Sequence, residues 1–171
     1  YTFHKRMKVY VTEVRRTTKG SLVNVSRSKP ALVVKLFEEE IPEIHDGIVE
    51  IKSIAREAGS RSKIAVLSND SHIDPIGACI GAKGTRVQTI VDELNGEKID
   101  IVKYSDGPGE FIIASLNPAD VLSLDIDTEA KEANVIVPAD QLSLAIGKEG
   151  QNARLAARLT GYKIDIKSDN M

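Results

Sequence analysis

A short glycine pattern occurs twice in this chain, as Ile80-Gly81-Ala82-Lys83-Gly84 and Ile146-Gly147-Lys148-Glu149-Gly150, with the second copy 66 residues after the first. Each copy runs into a segment of helical period that stops at Gly96 or Gly161. After those glycines come Lys98-Ile99-Asp100-Ile101 and Lys163-Ile164-Asp165-Ile166, now 65 residues apart because one residue is lost between helix and strand. A match held across loop, helix and strand indicates a duplicated domain. A chain of 171 residues with 42% hydrophobic content has material for one or two cores. The duplication selects two.

A G-x-x-G loop between helices has a particular chemistry. Its glycines permit positive φ where the chain reverses and leave room for a nucleic-acid backbone to come close. The next helix points its free N–H groups and positive dipole end at the same place, which favours a phosphate. Lys83 and Lys148 lie inside the loops as point charges. Short apolar helices, 76–80 and 142–146, are expected before the loops, and longer amphipathic ones leading into strands after them. Helix, G-x-x-G, helix, strand is the order of the KH module, which clamps about four nucleotides of a single strand.

Around these cores the pattern gives further elements. Residues 6–16 alternate apolar and polar, with Met7, Val9 and Val11 on one face, and predict a half-buried strand that returns as 21–27 after the turn at Gly20. A lone hairpin is marginal in water, so this one is expected to end a barrel whose earlier strands lie outside the chain. Pro30 opens a helix carrying Leu32, Val33, Leu36 and Phe37 at helical spacing, ending near Pro42. Strands over 47–58 and 61–68 follow, joined across Gly59. The helix after the first loop carries a stripe of Val87, Ile90, Val91 and Leu94 that is expected to pack on the sheet. The second copy repeats this order, with helices over 111–116, 140–146 and 152–160 and strands over 121–127, 134–137 and 163–167. A helix and strand placed before the core is the prokaryotic, type II arrangement of KH domains. The last helix carries Ala153, Leu155, Ala156, Ala157 and Leu159, smaller-sided than the first copy's stripe, and can lie closer to its own sheet or to the neighbouring domain, so the two copies are expected to form one rigid unit.

The net charge of −2 conceals strong segregation. By segment the balance is +8 over 1–37, −5 over 38–57, zero over 58–103, −7 over 104–140 and +2 over 141–171. Both loops therefore escape the acidic stretches. The basic N-terminal block suits a phosphate backbone whatever its sequence, and the acidic stretches read as solvated faces.

The segments 74–88, 95–102 and 49–57 closely resemble the first KH domain of the bacterial transcription elongation and termination factor NusA family, and 145–156 resembles its second. The resemblance spans nearly the whole chain and implies an α+β fold. Residues 1–28 would be the C-terminal remnant of an S1 (OB-fold) barrel, 29–105 KH domain 1 and 106–171 KH domain 2, in a fragment cut from a longer protein. S1 before KH separates this family from polynucleotide phosphorylase, where KH comes first. The implied function is binding of nascent single-stranded RNA at RNA polymerase, together with other transcription factors, in pausing, termination and antitermination. The expected site residues are Gly81, Ala82, Lys83, Gly84 and Arg86 in the first domain, and Gly147, Lys148, Glu149, Gly150, Asn152 and Arg154 in the second. Arg86 and Arg154 would meet phosphates or bases, and Asn152 a base edge. Glu149 places a carboxylate in the second loop, where it repels phosphate unless it turns outward. Aromatics are few, so base contact is expected from apolar side chains such as Ile80 and Ile146.

Other classes fare worse. Neither glycine cluster fits the phosphate loop G-x-x-x-x-G-K-[ST]. His4, His45 and His72 lack a serine or cysteine partner at motif spacing. Cys79 matches Ala145 in the other copy and reads as core. A single cysteine excludes a disulfide framework, fits a reducing cytoplasm and leaves no C-x-x-C pair for zinc, and no apolar run approaches the roughly 20 residues of a membrane span. The expectation is a monomeric, non-enzymatic RNA-binding fragment without metal or cofactor. The rivals are a protein-interaction scaffold and the KH module of another RNA-processing complex.

Overall fold

In a computed structural model, which describes residues 1–170, a β-ribbon precedes two α+β units built on one plan. The ribbon consists of β1 (Tyr10–Thr17) and β2 (Gly20–Ser26), antiparallel and slipped by one residue between Val11 and Glu13. It differs from the expected half-buried strand. Residues 6–9 stay outside the ladder, and Val14 and Leu22 are 62% and 50% exposed. Two strands without a second layer have nothing to bury against. Arg27 anchors the ribbon's base, donating from Nη1 to the Lys8 carbonyl (2.6 Å) and from Nη2 to the Glu93 carbonyl (2.7 Å).

The first unit opens with α1 (Pro30–Glu40) and α2 (Pro42–His45), each with proline in its first turn where no N–H is needed. Ile41 between them is forced extended, at φ −110°, because the residue before a proline is pushed out of the helical region. Leu32, Val33, Leu36 and Phe37 of α1 are buried as their spacing predicts. They pack with Val49, Ile64, Val66, Cys79, Ile90 and Leu94. The sheet orders β3 (Val49–Glu57), β4 (Arg61–Ser68) and β5 (Lys98–Lys103), with β3 antiparallel and β5 parallel to β4. A parallel pair needs a crossover. Here α3 (Pro75–Ile80), the first glycine loop and α4 (Thr85–Glu93) supply it, so the loop projects where the crossover reverses. Glu97, 1% exposed, closes the far end, accepting from Arg56 Nη2 (3.0 Å), the Gly59 N–H (2.8 Å) and Ser62 Oγ (2.9 Å).

The second unit repeats this with α5 (Pro108–Ser115), β6 (Ser123–Asp127), β7 (Glu132–Val137), α6 (Leu142–Ile146), α7 (Gln151–Thr160) and β8 (Lys163–Ser168). Its sheet runs β6-β7-β8, again antiparallel then parallel. No helix among the described residues is long and apolar enough to cross a membrane.

The units share a core. Ala55, Ala65 and Val102 of the first sheet pack with Phe111 of α5 and with Leu155 and Leu159 of α7. Two buried faces therefore make α7 a joint, as the expected rigid unit requires. The leucines face the neighbouring domain, over the small Ala55 and Ala65, while Ala156 belongs to the second unit's own core. Polar contacts fix the joint. Ser53 Oγ donates to the Leu159 carbonyl at 3.0 Å. Lys63, whose side chain is fully buried, donates to Asp100 Oδ2 (3.1 Å) and to the Asn117 carbonyl (3.0 Å). Burial draws its pKa down, opposed by the Asp100 carboxylate.

Candidate nucleic-acid interface

The two glycine loops have nearly the same backbone. Gly81 sits at φ 77°, ψ 176° and Gly147 at φ 80°, ψ 169°. Lys83 and Glu149 occupy the left-handed region at φ 55°, ψ 27° and φ 55°, ψ 26°, and Gly84 and Gly150 follow at φ 74° and φ 75°. Gly84 and Gly150 stand as N-caps of α4 and α7 without any side-chain cap, while the first N–H of each helix, on Thr85 and Gln151, is taken by the loop carbonyl of Ala82 or Lys148.

The glycines divide the work, which the expectation of a shared role for both did not anticipate. A Cβ on Gly81 would meet Arg86 Cγ at 2.6 Å, and one on Gly147 would meet the Asn152 backbone nitrogen at 2.7 Å. The first glycine of each loop therefore lets the loop pack against the next helix. Around Gly84 a Cβ would meet nothing within 4 Å, and around Gly150 only Arg154 Nη1 at 3.9 Å. The second glycines are where an outside backbone has room.

Superposed charges also differ. Lys83 falls on Glu149 and Lys148 on Ala82, so the left-handed position carries opposite charges in the two loops. All four side chains are exposed, and among the described residues neither lysine is paired with a carboxylate.

The flanking polar residues are already engaged. Arg86 Nη1 donates to Glu43 Oε2 (2.7 Å) and to the Ala78 carbonyl (2.8 Å). Asn152, its counterpart 66 residues on, is 2% exposed, and its Nδ2 donates to the carbonyls of Ala145 (2.8 Å) and Leu116 (3.2 Å). The base-edge role expected for Asn152 is thus corrected, since its side chain faces the core and ties the loop to the preceding helix. Arg154 donates from Nε and Nη2 to Glu57 (2.8 and 2.7 Å) and from Nη1 to the Glu149 carbonyl (3.0 Å). Its guanidinium holds the Glu57 carboxyl below its ordinary range. Gln151 joins the same cluster, its Nε2 donating to Glu57 Oε1 (3.3 Å) and to Ser60 Oγ (2.7 Å). The second loop is thereby strapped to the first domain through Glu57, a residue that no local motif marks, because it lies 97 positions from Arg154.

Beside the first loop runs an apolar groove. Ile76 and Ile80 of α3, Val87 of α4, Ile99, Asp100 and Ile101 of β5, and Asn117 and Pro118 of the second unit line it. Ile80 is 38% exposed. Cys79 is fully buried beneath the loop, as is Ala145 in the other copy. Burial pushes the Cys79 thiol up to about 12, which leaves it inert as a nucleophile.

Comparison with known proteins agrees with this geometry. Residues 27–104 match the model of the NusA-like first KH domain, and residues 108–171 that of the NusA-like second KH domain. The transcription termination/antitermination protein NusA of Bacillus subtilis is 60% identical over 169 residues, 99% of this chain and 46% of that protein. Its namesake in Mycobacterium tuberculosis is 55% identical over 170 residues, 99% of this chain and 49% of that protein. In Thermus thermophilus the figures are 54% over 163 residues, 95% and 42%. The chain thus spans about half the length of the curated relatives it matches. The crystal structure of APE1850 shares the fold, with a TM-score of 0.56 at 22% identity over 79% of this chain and 95% of that one. With both KH domain models matched in tandem and more than half its residues identical to these relatives over nearly its whole length, the chain belongs to the NusA family, of which it comprises the paired KH region.

Proposed function

We propose that this chain holds one extended strand of RNA across both glycine loops, as the RNA-clamping region of a transcription elongation, termination and antitermination factor. The observation that carries the reading is the pair of second glycines, Gly84 and Gly150. Both are left-handed, open above, and set at uncapped helix N-termini beside the exposed Lys83 or Lys148. Phosphates lie against the open second glycines at the positive ends of α4 and α7, and bases enter the apolar groove past Ile80. The first loop grips more strongly, because Glu149 occupies in the second the position that Lys83 holds in the first. Arg86 and Arg154 act by holding the loops in shape, each being bound to a carboxylate and a carbonyl.

The β1–β2 ribbon is, on this reading, the last pair of strands of an S1 barrel, which would cover its exposed valines. The function is binding without catalysis, in the cytoplasm, on nascent RNA at RNA polymerase and alongside other transcription factors, with the region itself monomeric.

The test is fluorescence anisotropy with short single-stranded RNAs over a salt series, comparing the parent with a variant carrying Ala82→Asp, Lys83→Asp, Lys148→Asp and Glu149→Asp. The parent should bind with an affinity that falls with salt, by a slope of about −0.7 per phosphate neutralised, and the folded variant should not bind. Equal behaviour of the two would make the loops structural and favour a protein-interaction scaffold.

A further inference from the structure

We propose that Glu57, a residue of the first domain, sets the strength of the second domain's RNA clamp by neutralising Arg154 and Arg158 beside the second loop. The inference rests on the RNA-clamping reading and adds to it an affinity-setting residue supplied across the domain joint.

Arg154 borders the place where a phosphate enters the second loop. A Cβ built on Gly150 would meet only Arg154 Nη1, at 3.9 Å. The Glu149 carbonyl holds that nitrogen in place at 3.0 Å, and the side chain as a whole is 42% exposed. A guanidinium carries five N–H groups. Three are engaged, one each on Nε, Nη2 and Nη1, and the other two have no partner among the described residues. Donors for an oxyanion are therefore available at the lip of the loop.

The charge that should accompany them is withheld. Glu57, at the end of β3, accepts from Nε and Nη2 through both of its oxygens, at 2.8 and 2.7 Å, a paired geometry that is the strong form of the carboxylate–guanidinium contact. Arg158 Nη1 lies 3.8 Å from the same carboxylate. Among these groups Lys148, Arg154 and Arg158 stand against Glu149 and Glu57, which leaves one net positive charge at the loop. Neutralising Glu57 would double it without removing any donor.

The two loops differ in where the countercharge comes from. Arg86, beside the first loop, is paired with Glu43 of its own domain. Arg154 is paired with a residue of the other domain, brought to it by the packing of α7 on the first sheet, where Ser53 of β3 bonds the Leu159 carbonyl of α7. The grip of the second loop is thus tied to the joint, whereas that of the first is not.

The experiment uses the full chain and a 5′-labelled single-stranded RNA of mixed sequence, about a dozen nucleotides long and so enough for two KH sites, read by anisotropy over a salt series. Glu57→Gln keeps the side chain's length and an oxygen for Arg154, and Glu57→Ala removes both; circular dichroism confirms that each is folded. Both should bind about threefold more tightly than the parent at low salt, the effect of one unit charge roughly 6 Å from a phosphate in water. The gain should shrink as salt rises, and the log–log salt slope should steepen by about 0.7, the value for one further phosphate neutralised. Adding Arg154→Gln to Glu57→Gln should cancel the gain, because the unmasked charge is then gone.

Glu57 variants that bind like the parent, or more weakly, overturn the proposal and leave the clamp standing. A gain that leaves the salt slope unchanged, or that survives Arg154→Gln, overturns it as well, since the effect would then come from a change in the joint and not from charge at the loop. If neither the parent nor the variants bind this RNA, the clamp and this inference fall together.

Discussion

Replacing Leu155 by alanine tests whether the two KH domains are one cooperative body. Leu155 belongs to the second domain by sequence, yet it is fully buried in the cluster formed with Ala55, Ala65 and Val102 of the first. Leu→Ala in a core costs about 2–5 kcal/mol, depending on how far the surroundings collapse into the space. Here collapse is limited, because the facing side chains are alanines on a paired sheet and their backbones are held by ladder hydrogen bonds. The expected loss is therefore about 3–4 kcal/mol, which for a chain of this size lowers Tm by roughly 10 °C. Leu144→Ala, at a side chain 47% exposed, should stay within about 0.5 kcal/mol and serves as the control. Thermal melting followed by circular dichroism measures the total, and native-state hydrogen exchange locates it. Amides of β3 and β4 should lose protection although the substitution lies in α7. A loss below about 1 kcal/mol would refute the argument. So would a loss confined to α6, α7 and β6–β8, which would make the joint a contact between independent domains.

Two further outcomes follow from the loops. Gly84→Ala adds only left-handed strain and should cost about 1–2 kcal/mol, whereas Gly147→Ala also drives a methyl into the Asn152 backbone and should cost about 1–3 kcal/mol more in urea denaturation; equal costs would contradict the division of labour between the glycines. The Glu57 carboxyl, held by Arg154 below its ordinary value of 4.5, contributes stability that is fully present above the unfolded carboxyl's pKa and is lost as pH falls through the folded one. The Tm gap between parent and Glu57→Gln should accordingly be widest near neutrality and close as pH drops below about 4, and a gap independent of pH would show that the strap stabilises by something other than charge.

Much of the site was legible because it is local. The glycines, the loop lysines and the helix after each loop lie within a dozen residues, and the 66-residue repeat shows that the pattern recurs with its context. Burial of Cys79 was legible for the same reason, since its match with Ala145 calls for a small apolar side chain in both copies. Asn152 and Arg86 were harder. On a helical wheel each is a polar residue just past a loop, and nothing nearby in sequence says that it points back to the carbonyls of the preceding helix. The half-buried strand expected over 6–16 failed differently. Alternation reports which side chains could be buried, and no partner layer covers the ribbon here.

The sequence alone determined the duplication, the α+β order of each copy and the reversal of the chain at each loop, because these depend on residues within one or two turns of each other and on the positive φ that the glycines at both ends of each loop permit. The tertiary structure decided which glycine faces outward, which helix became the joint between the domains, and which residues meet across it. Glu57 reaches Arg154 and Lys63 reaches Asn117 only after two sheets have packed against α7 and α5. Contacts between residues so far apart are set by the burial of whole apolar faces, a property that no short stretch of sequence contains.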